Sequence, residues 1–216
     1  MTRRTQYAVM VAVALWTGVA HGLMRQPADA EARLEQFDSA VAAYMTLRES
    51  VTQPLPPLEI SPDFDHVFLA VDAMAAAISA ARPSAKEGDI FDPETGALLR
   101  QRIRHALRAP ACDARGDPGV ADGADAPATA RRPIVHDRFD WGAGSSMSWC
   151  LLDVLPTLPE ELQFRFVNRD LVLVDIDADL VVDVLPDALP RHALWRGLRY
   201  ARLQITQLRA DSINGV

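Results

Sequence analysis

Three short runs between residues 162 and 185 alternate apolar and polar side chains with period two, and this pattern restricts the fold more than any other feature of the chain. In LQFRFV the apolar set is Leu162, Phe164 and Phe166; in DLVLVDI it is Val172, Val174 and Ile176; in LVVDV it is Leu180, Val182 and Val184. Successive side chains of a strand point to opposite faces, so the three runs predict an antiparallel meander with one apolar face. Parity then sets the register. Pairing even with even positions requires three-residue loops, Asn168-Arg169-Asp170 and Asp177-Ala178-Asp179. Phe166 then faces Val172, Phe164 faces Val174 and Leu162 faces Ile176; across the second turn Ile176 faces Leu180, Val174 faces Val182 and Val172 faces Val184. On this reading Asp175 and Asp183 lie on the outer face, with Asp175 in diagonal reach of Arg165. A helix over 179–189 is the alternative.

The N-terminal half carries a helical period instead. Leu34, Phe37, Val41, Tyr44 and Leu47 or Val51 recur at steps of three and four, while Glu31, Arg33, Glu35 and Arg48 fall largely elsewhere. That spacing predicts an amphipathic helix of about 25 residues begun by Pro27. Ser61-Pro62, followed by Asp63 and Asp65, opens a second helix over 62–81, whose small and apolar composition makes it the expected most buried helix. Asp92 as N-cap and Pro93 in the first turn begin a third, with Leu98, Leu99, Ile103 and Leu107 on one face. Between 134 and 161 a short strand, a loop and one helical turn are expected. Leu194, Leu198, Ala201, Ile205 and Leu208 mark a closing basic helix over 190–216, expected to pack on the even face of the sheet. The fold class is therefore α+β: an N-terminal helical region, a small three-stranded meander and a C-terminal amphipathic helix.

Arg3 and Arg4 precede an apolar run from Tyr7 to Ala20, and Ala20-His21-Gly22 supplies small residues for cleavage before Leu23. This is the form of a secretory signal peptide. An uncleaved N-terminal anchor is the alternative, although the run falls short of the roughly 20 residues that span a bilayer. The predicted organisation is a signal peptide over 1–22, a helical region over 23–108, a low-complexity linker over 109–133 and the meander with its closing helix over 134–216. Residues 109–133 hold Gly, Pro, Ala and Asp with almost no large apolar group. Export to a periplasmic or secreted location makes Cys112 and Cys150 a candidate disulfide. Closing that loop would contribute about 3 to 4 kcal/mol by chain entropy.

The formal charge of −7 argues against a polyanionic nucleic-acid partner. Lys86 is the sole lysine against 21 arginines, a bias that reflects coding composition more than a demand for guanidinium groups. Asp175, Asp177 and Asp179 match the first positions of a calcium loop, but Leu180 stands where that loop needs glycine and Pro186 where it needs its bidentate glutamate. They are the weak metal candidates, and the plainer reading is a polar turn. His66, His105, His136 and His192 form no ligand pair, and Ser145, Ser146 and Ser148 sit in no nucleophile elbow. No phosphate-cradling glycine motif or other cofactor signature is present, so no cofactor is expected.

Two blocks carry a resemblance. AKEGDIFDPETGALLRQRIRHAL and LPTLPEELQFRFVNRDLVLVDIDADLVVDVLPDALP resemble a group of uncharacterised exported bacterial proteins with a G-D-I-F-x-P-E helix start and an R-F-V-x-R-D-L-x-L-x-D hairpin. Phe164 stands where that pattern has Tyr, and Asp179 where it often has Asn. The resemblance implies export and architecture, and no activity. The hairpin alone is similar to the terminal segment of small periplasmic proteins linked to nickel and cobalt homeostasis, through alternating apolar residues and turns that carry no metal role. The functional expectation is a periplasmic non-enzymatic interaction or accessory protein with a protein or other envelope partner and no transmembrane span after cleavage. The alternatives are a secreted serine hydrolase using the 144–148 loop with His136, and a weak divalent-cation-binding protein.

Overall fold

A computed structural model describes residues 4–56, 64–109, 131–142 and 147–190, with side chains from Ala28 onward. Its frame is a three-stranded antiparallel sheet in the order β1-β2-β3, with β1 Leu162–Val167, β2 Asp170–Asp175 and β3 Leu180–Leu185. Helices α1 (Arg4–Thr52), α2 (Phe64–Ala81) and α3 (Pro93–Ala106) precede it, with a single turn α4 (Trp149–Leu152) between. The α+β class and the meander therefore stand, and residues 180–185 are a strand rather than a helix.

The register differs from the one parity implied. Phe166 pairs with Leu171, Phe164 with Leu173 and Leu162 with Asp175, across a two-residue loop of Asn168 and Arg169. Asn168 takes φ 55, a left-handed conformation that asparagine tolerates well. Parity misled because β2 is apolar at both parities and buried on both faces. Leu171 and Leu173 join the helix-side core, while Val172 and Val174 meet Val167, Val181, Val184 and Phe139 in a second cluster on the opposite face. Across the second turn Val172 does pair with Val184, as expected, but Leu173 pairs with Asp183 and Val174 with Val181. Val182 is thus an extra residue, a bulge that changes which parity of β3 faces the helices.

The outer edge of β3 is covered rather than open. His136 donates its backbone N–H to the Val181 carbonyl at 2.9 Å, Val181 donates to Asp137 at 3.0 Å, and Phe139 donates to Asp179 at 2.6 Å. This short bridge at Arg138 occupies backbone groups that would otherwise template another strand.

Helix α1 runs unbroken from Arg4, so it does not begin at Pro27; proline lacks the N–H that would bond four residues back, and the helix continues across it. Its stripe of Phe37, Val41 and Tyr44 is buried as the period predicted. Arg48 is buried too, contrary to its expected polar placement, because it follows Tyr44 by four residues on the same face. Helix α3 starts as expected: the Asp92 carboxylate accepts the N–H of Glu94 at 2.9 Å and of Thr95 at 3.2 Å. Helix α2 overturns its expectation. Only Val71, Met74 and Ile78 are buried, while Phe64, Phe68 and Leu69 are exposed by 73, 56 and 66%. The buried line begins only at Val71, which leaves the first turns of α2 uncovered.

Helices and sheet share one core. Phe37 of α1, Phe91 before α3 and Phe164 of β1 stack with centroids 5.9 to 6.3 Å apart. Leu99 and Ile103 of α3 and Leu151 of α4 join them, so the helical region packs against the sheet directly. The sheet's helix-side face packs against α1 and α3; the expected closing helix, from residue 191, lies outside the described residues, as do 57–63, 110–130 and 143–146.

Phe37→Ala is expected to cost about 3 to 5 kcal/mol in urea unfolding, with helical and sheet signals lost in one transition. Two separate transitions would contradict a shared core.

Candidate functional site

The aspartates of 175–183 are the residues most suggestive of chemistry, and the structure assigns nearly all their oxygens. Asp175 sits at the end of β2, fully buried and facing α1, because the register above turns it inward. Its Oδ2 accepts the Tyr44 hydroxyl at 2.7 Å and Arg48 Nε at 2.7 Å; its Oδ1 accepts the Ala178 N–H at 3.1 Å and Arg48 Nη2 at 3.4 Å. Arg48 Nη2 also reaches Asp177 at 2.6 Å. Arg165, the partner suggested by sequence, instead lies 5.5 Å from the Trp141 ring.

Burial penalises the Arg48 charge, but the bonds and charge of Asp175, then of Asp177, more than offset it and hold the guanidinium above its ordinary value. Burial, reinforced by the Asp175 charge, pushes the Tyr44 hydroxyl far upward, so it stays protonated and donates. A buried carboxylate surrounded by donors in this way is a structural acceptor with no lone pair turned toward a substrate. Asp179 is drawn the other way: it accepts from Trp141 Nε1 at 2.6 Å and Arg138 Nη2 at 3.3 Å, and Arg138 also pairs with Asp72. The three acids of the weak metal candidate are therefore divided between Arg48 and Arg138. Among the described residues no group of three His, Cys, Asp or Glu is arranged to hold a metal ion.

Asp183 is the second buried carboxylate, turned inward by the bulge rather than outward as parity implied. It accepts the backbone N–H of Gly88 at 2.8 Å, of Ile90 and Phe91 at 2.7 Å each, and of Val184 at 2.7 Å. Burial pushes its carboxyl above the usual range, and those four donors pull it partly back. Gly88 at φ 87 lets the loop curl so that the N–H groups of Gly88, Ile90 and Phe91 converge on it. Asp183 thus links the loop before α3 to β3, alongside the Phe91–Phe164 stack between the same two sequence blocks.

Of the hydrolase candidates only Ser148 and His136 are among the described residues, and no hydrogen bond joins them. Ser148 is buried with its oxygen 2.9 Å from Cys150 Sγ; Cys150 is disulfide-bonded, so the hydroxyl is the donor. Cys112, Ser145 and Ser146 lie outside the described residues. His136, at φ 71, follows the edge of β3 with its Nε2 buried and without a hydrogen-bond partner. Sequence reasoning missed Tyr44 and Arg48 as partners of the aspartates. The available signal was their place on the α1 stripe, where a buried arginine needs an acid. Compared with family models, curated proteins and solved structures, the chain matches none.

Removing Arg48 strands Asp175 in the core. Arg48→Met is expected to cost about 3 to 5 kcal/mol by denaturant unfolding, and Arg48→Met combined with Asp175→Leu to recover much of it. Additive losses would show that the pair is not coupled.

His136 supplies a pH dependence. Burial, then the Arg82 charge, lowers its pKa in the folded state. Its contribution is therefore present above the unfolded value of roughly 6.5 and is lost as pH falls toward the folded value, because the unfolded chain takes up the proton first. The melting temperature of the wild type is expected to fall more steeply with acidification than that of His136→Asn. Parallel curves would contradict this.

Proposed function

We propose that this protein is an exported interaction or accessory protein of the cell envelope that engages another polypeptide through the first turns of α2. The observation that carries the reading is the exposure of Phe64, Phe68 and Leu69 on one helix. Phe64 and Phe68 lie one helical turn apart with Leu69 next in sequence, and large apolar side chains left in water near one another mark contact sites. Export is supported by the charged start, the apolar run to Ala20 and the small residues before Leu23.

Helix α2 is the described helix long and apolar enough to cross a membrane by length and composition. Its burial of Val71, Met74 and Ile78, and the pairing of Asp72 with Arg138, fit a helix packed on a protein core better than one in lipid. The continuity of α1 from Arg4 favours a second reading for the N-terminus, an uncleaved anchor feeding directly into the folded domain. N-terminal sequencing of the envelope-purified protein separates the two: a start at Leu23 supports cleavage, and a start at residue 1 or 2 supports the anchor.

A photocrosslinker placed at position 68 in living cells is expected to yield a discrete adduct that disappears when Phe64 and Leu69 are both replaced by Glu. A yield no greater than from a crosslinker at the polar position Glu49 would overturn the docking reading.

A further inference from the structure

We infer that the cleft between α3 and α4 is a binding site for a small phosphorylated molecule. The cleft has a volume of about 660 Å³ and is lined by Arg102, Arg104, His105 and Arg108 of α3 and its C-terminal extension, with Asp153 and Val154 opposite. That size lies within the roughly 300 to 1,000 Å³ typical of small-molecule sites.

The cleft gathers arginines that have no acidic partner among the described residues. Arg33, Arg48, Arg131, Arg132, Arg138 and Arg169 each form an ion pair with an aspartate or glutamate. None of these lines the cleft. Arg102 reaches only the Val154 carbonyl at 3.4 Å, and Arg104 Nε only the Arg100 carbonyl at 3.1 Å. Among the described residues no acid pairs with Arg102, Arg104 or Arg108, although Asp153 shares the same cleft. Arg82, Arg100 and Arg165 likewise pair with no acid among the described residues, but they are dispersed, Arg82 and Arg100 donating to the Val182 and Pro186 carbonyls and Arg165 lying over the Trp141 ring, whereas Arg102, Arg104 and Arg108 share one concavity.

The charges favour an anion even after the opposing terms. The C-terminal end of α3 contributes about −0.5 of a charge and Asp153 a further −1, against three guanidiniums. The balance stays positive before His105 adds anything. Arg104 in the last turn of α3 and Arg108 just beyond it line the same cleft, and guanidinium forks match the oxygen geometry of phosphate. Leu98 and Val154 provide an apolar wall, and Asp153 an acceptor for a hydroxyl. Those features fit an organic phosphate such as a phosphorylated sugar better than a bare ion.

Calorimetric titration of the full mature protein with pyrophosphate, with citrate as the carboxylate comparison, tests the site. Pyrophosphate is expected to bind more tightly than citrate, and Arg104→Gln with Arg108→Gln to weaken it by about tenfold or more for each guanidinium removed. Arg33→Gln with Arg131→Gln, which removes the same net charge elsewhere, is expected to leave binding within about twofold of wild type. In the wild-type protein the Nε–Hε resonances of Arg102, Arg104 and Arg108 are expected to shift on titration, a readout independent of any variant's folding. Absence of binding, preference for citrate, equal weakening by the control pair, or shifts confined to other arginines would each overturn the proposal.

Discussion

The contact between Arg48 and Asp175 organises the rest of the molecule. A carboxylate fully removed from water is tolerated only where donors surround it, and here the donors come from α1 and from the turn beyond β2. One side chain therefore fixes the rotation of α1 about its axis, the closing turn of the hairpin and the face of β2 that meets the helices. Asp183 repeats the device from β3. The three backbone N–H groups of Gly88, Ile90 and Phe91 that it accepts tie the loop before α3 to the sheet and place Asp92 and Pro93 to start that helix. Apolar burial supplies most of the stabilisation, but it is non-directional; the two carboxylates select one packing among the many that would bury the same surface.

Sequence periodicity revealed the element types and the buried faces of α1 and β1, but not those of β2 and β3. Alternation in LQFRFV and the three-four stripe of Phe37, Val41 and Tyr44 report burial directly, and both correspond to observed elements. The Asp92-Pro93 start of α3 is equally local, since capping involves the backbone of the next few residues. Register was not readable because β2 is apolar at both parities, so a one-residue slip exchanges one buried face for another. The bulge at Val182 leaves no composition signal at all, yet it alone decides that Asp183 points inward.

The aspartates show the same limit from the side of function. Their spacing looked like a polar turn or a weak cation loop, and an acid flanked by valines was naturally assigned to solvent. Its reversal depends on Tyr44 and Arg48, more than 120 residues earlier in the chain. Buried charge pairs across such separations carry no motif. The candidate surfaces that do remain, the apolar start of α2 and the cationic cleft beside α3, are defined by what the fold leaves uncovered or unpaired, and no local pattern encodes either.

Amide hydrogen exchange in Asp183→Asn against wild type tests most directly whether a buried aspartate holds the helices to the sheet. Asparagine presents one acceptor oxygen and an amino group where four N–H groups converge, so Gly88, Ile90 and Phe91 are expected to lose protection sharply while Phe164 and Leu173, paired between β1 and β2, change far less. Unchanged protection at those three amides would show that the loop is held by apolar packing alone and that the carboxylate is incidental to the fold.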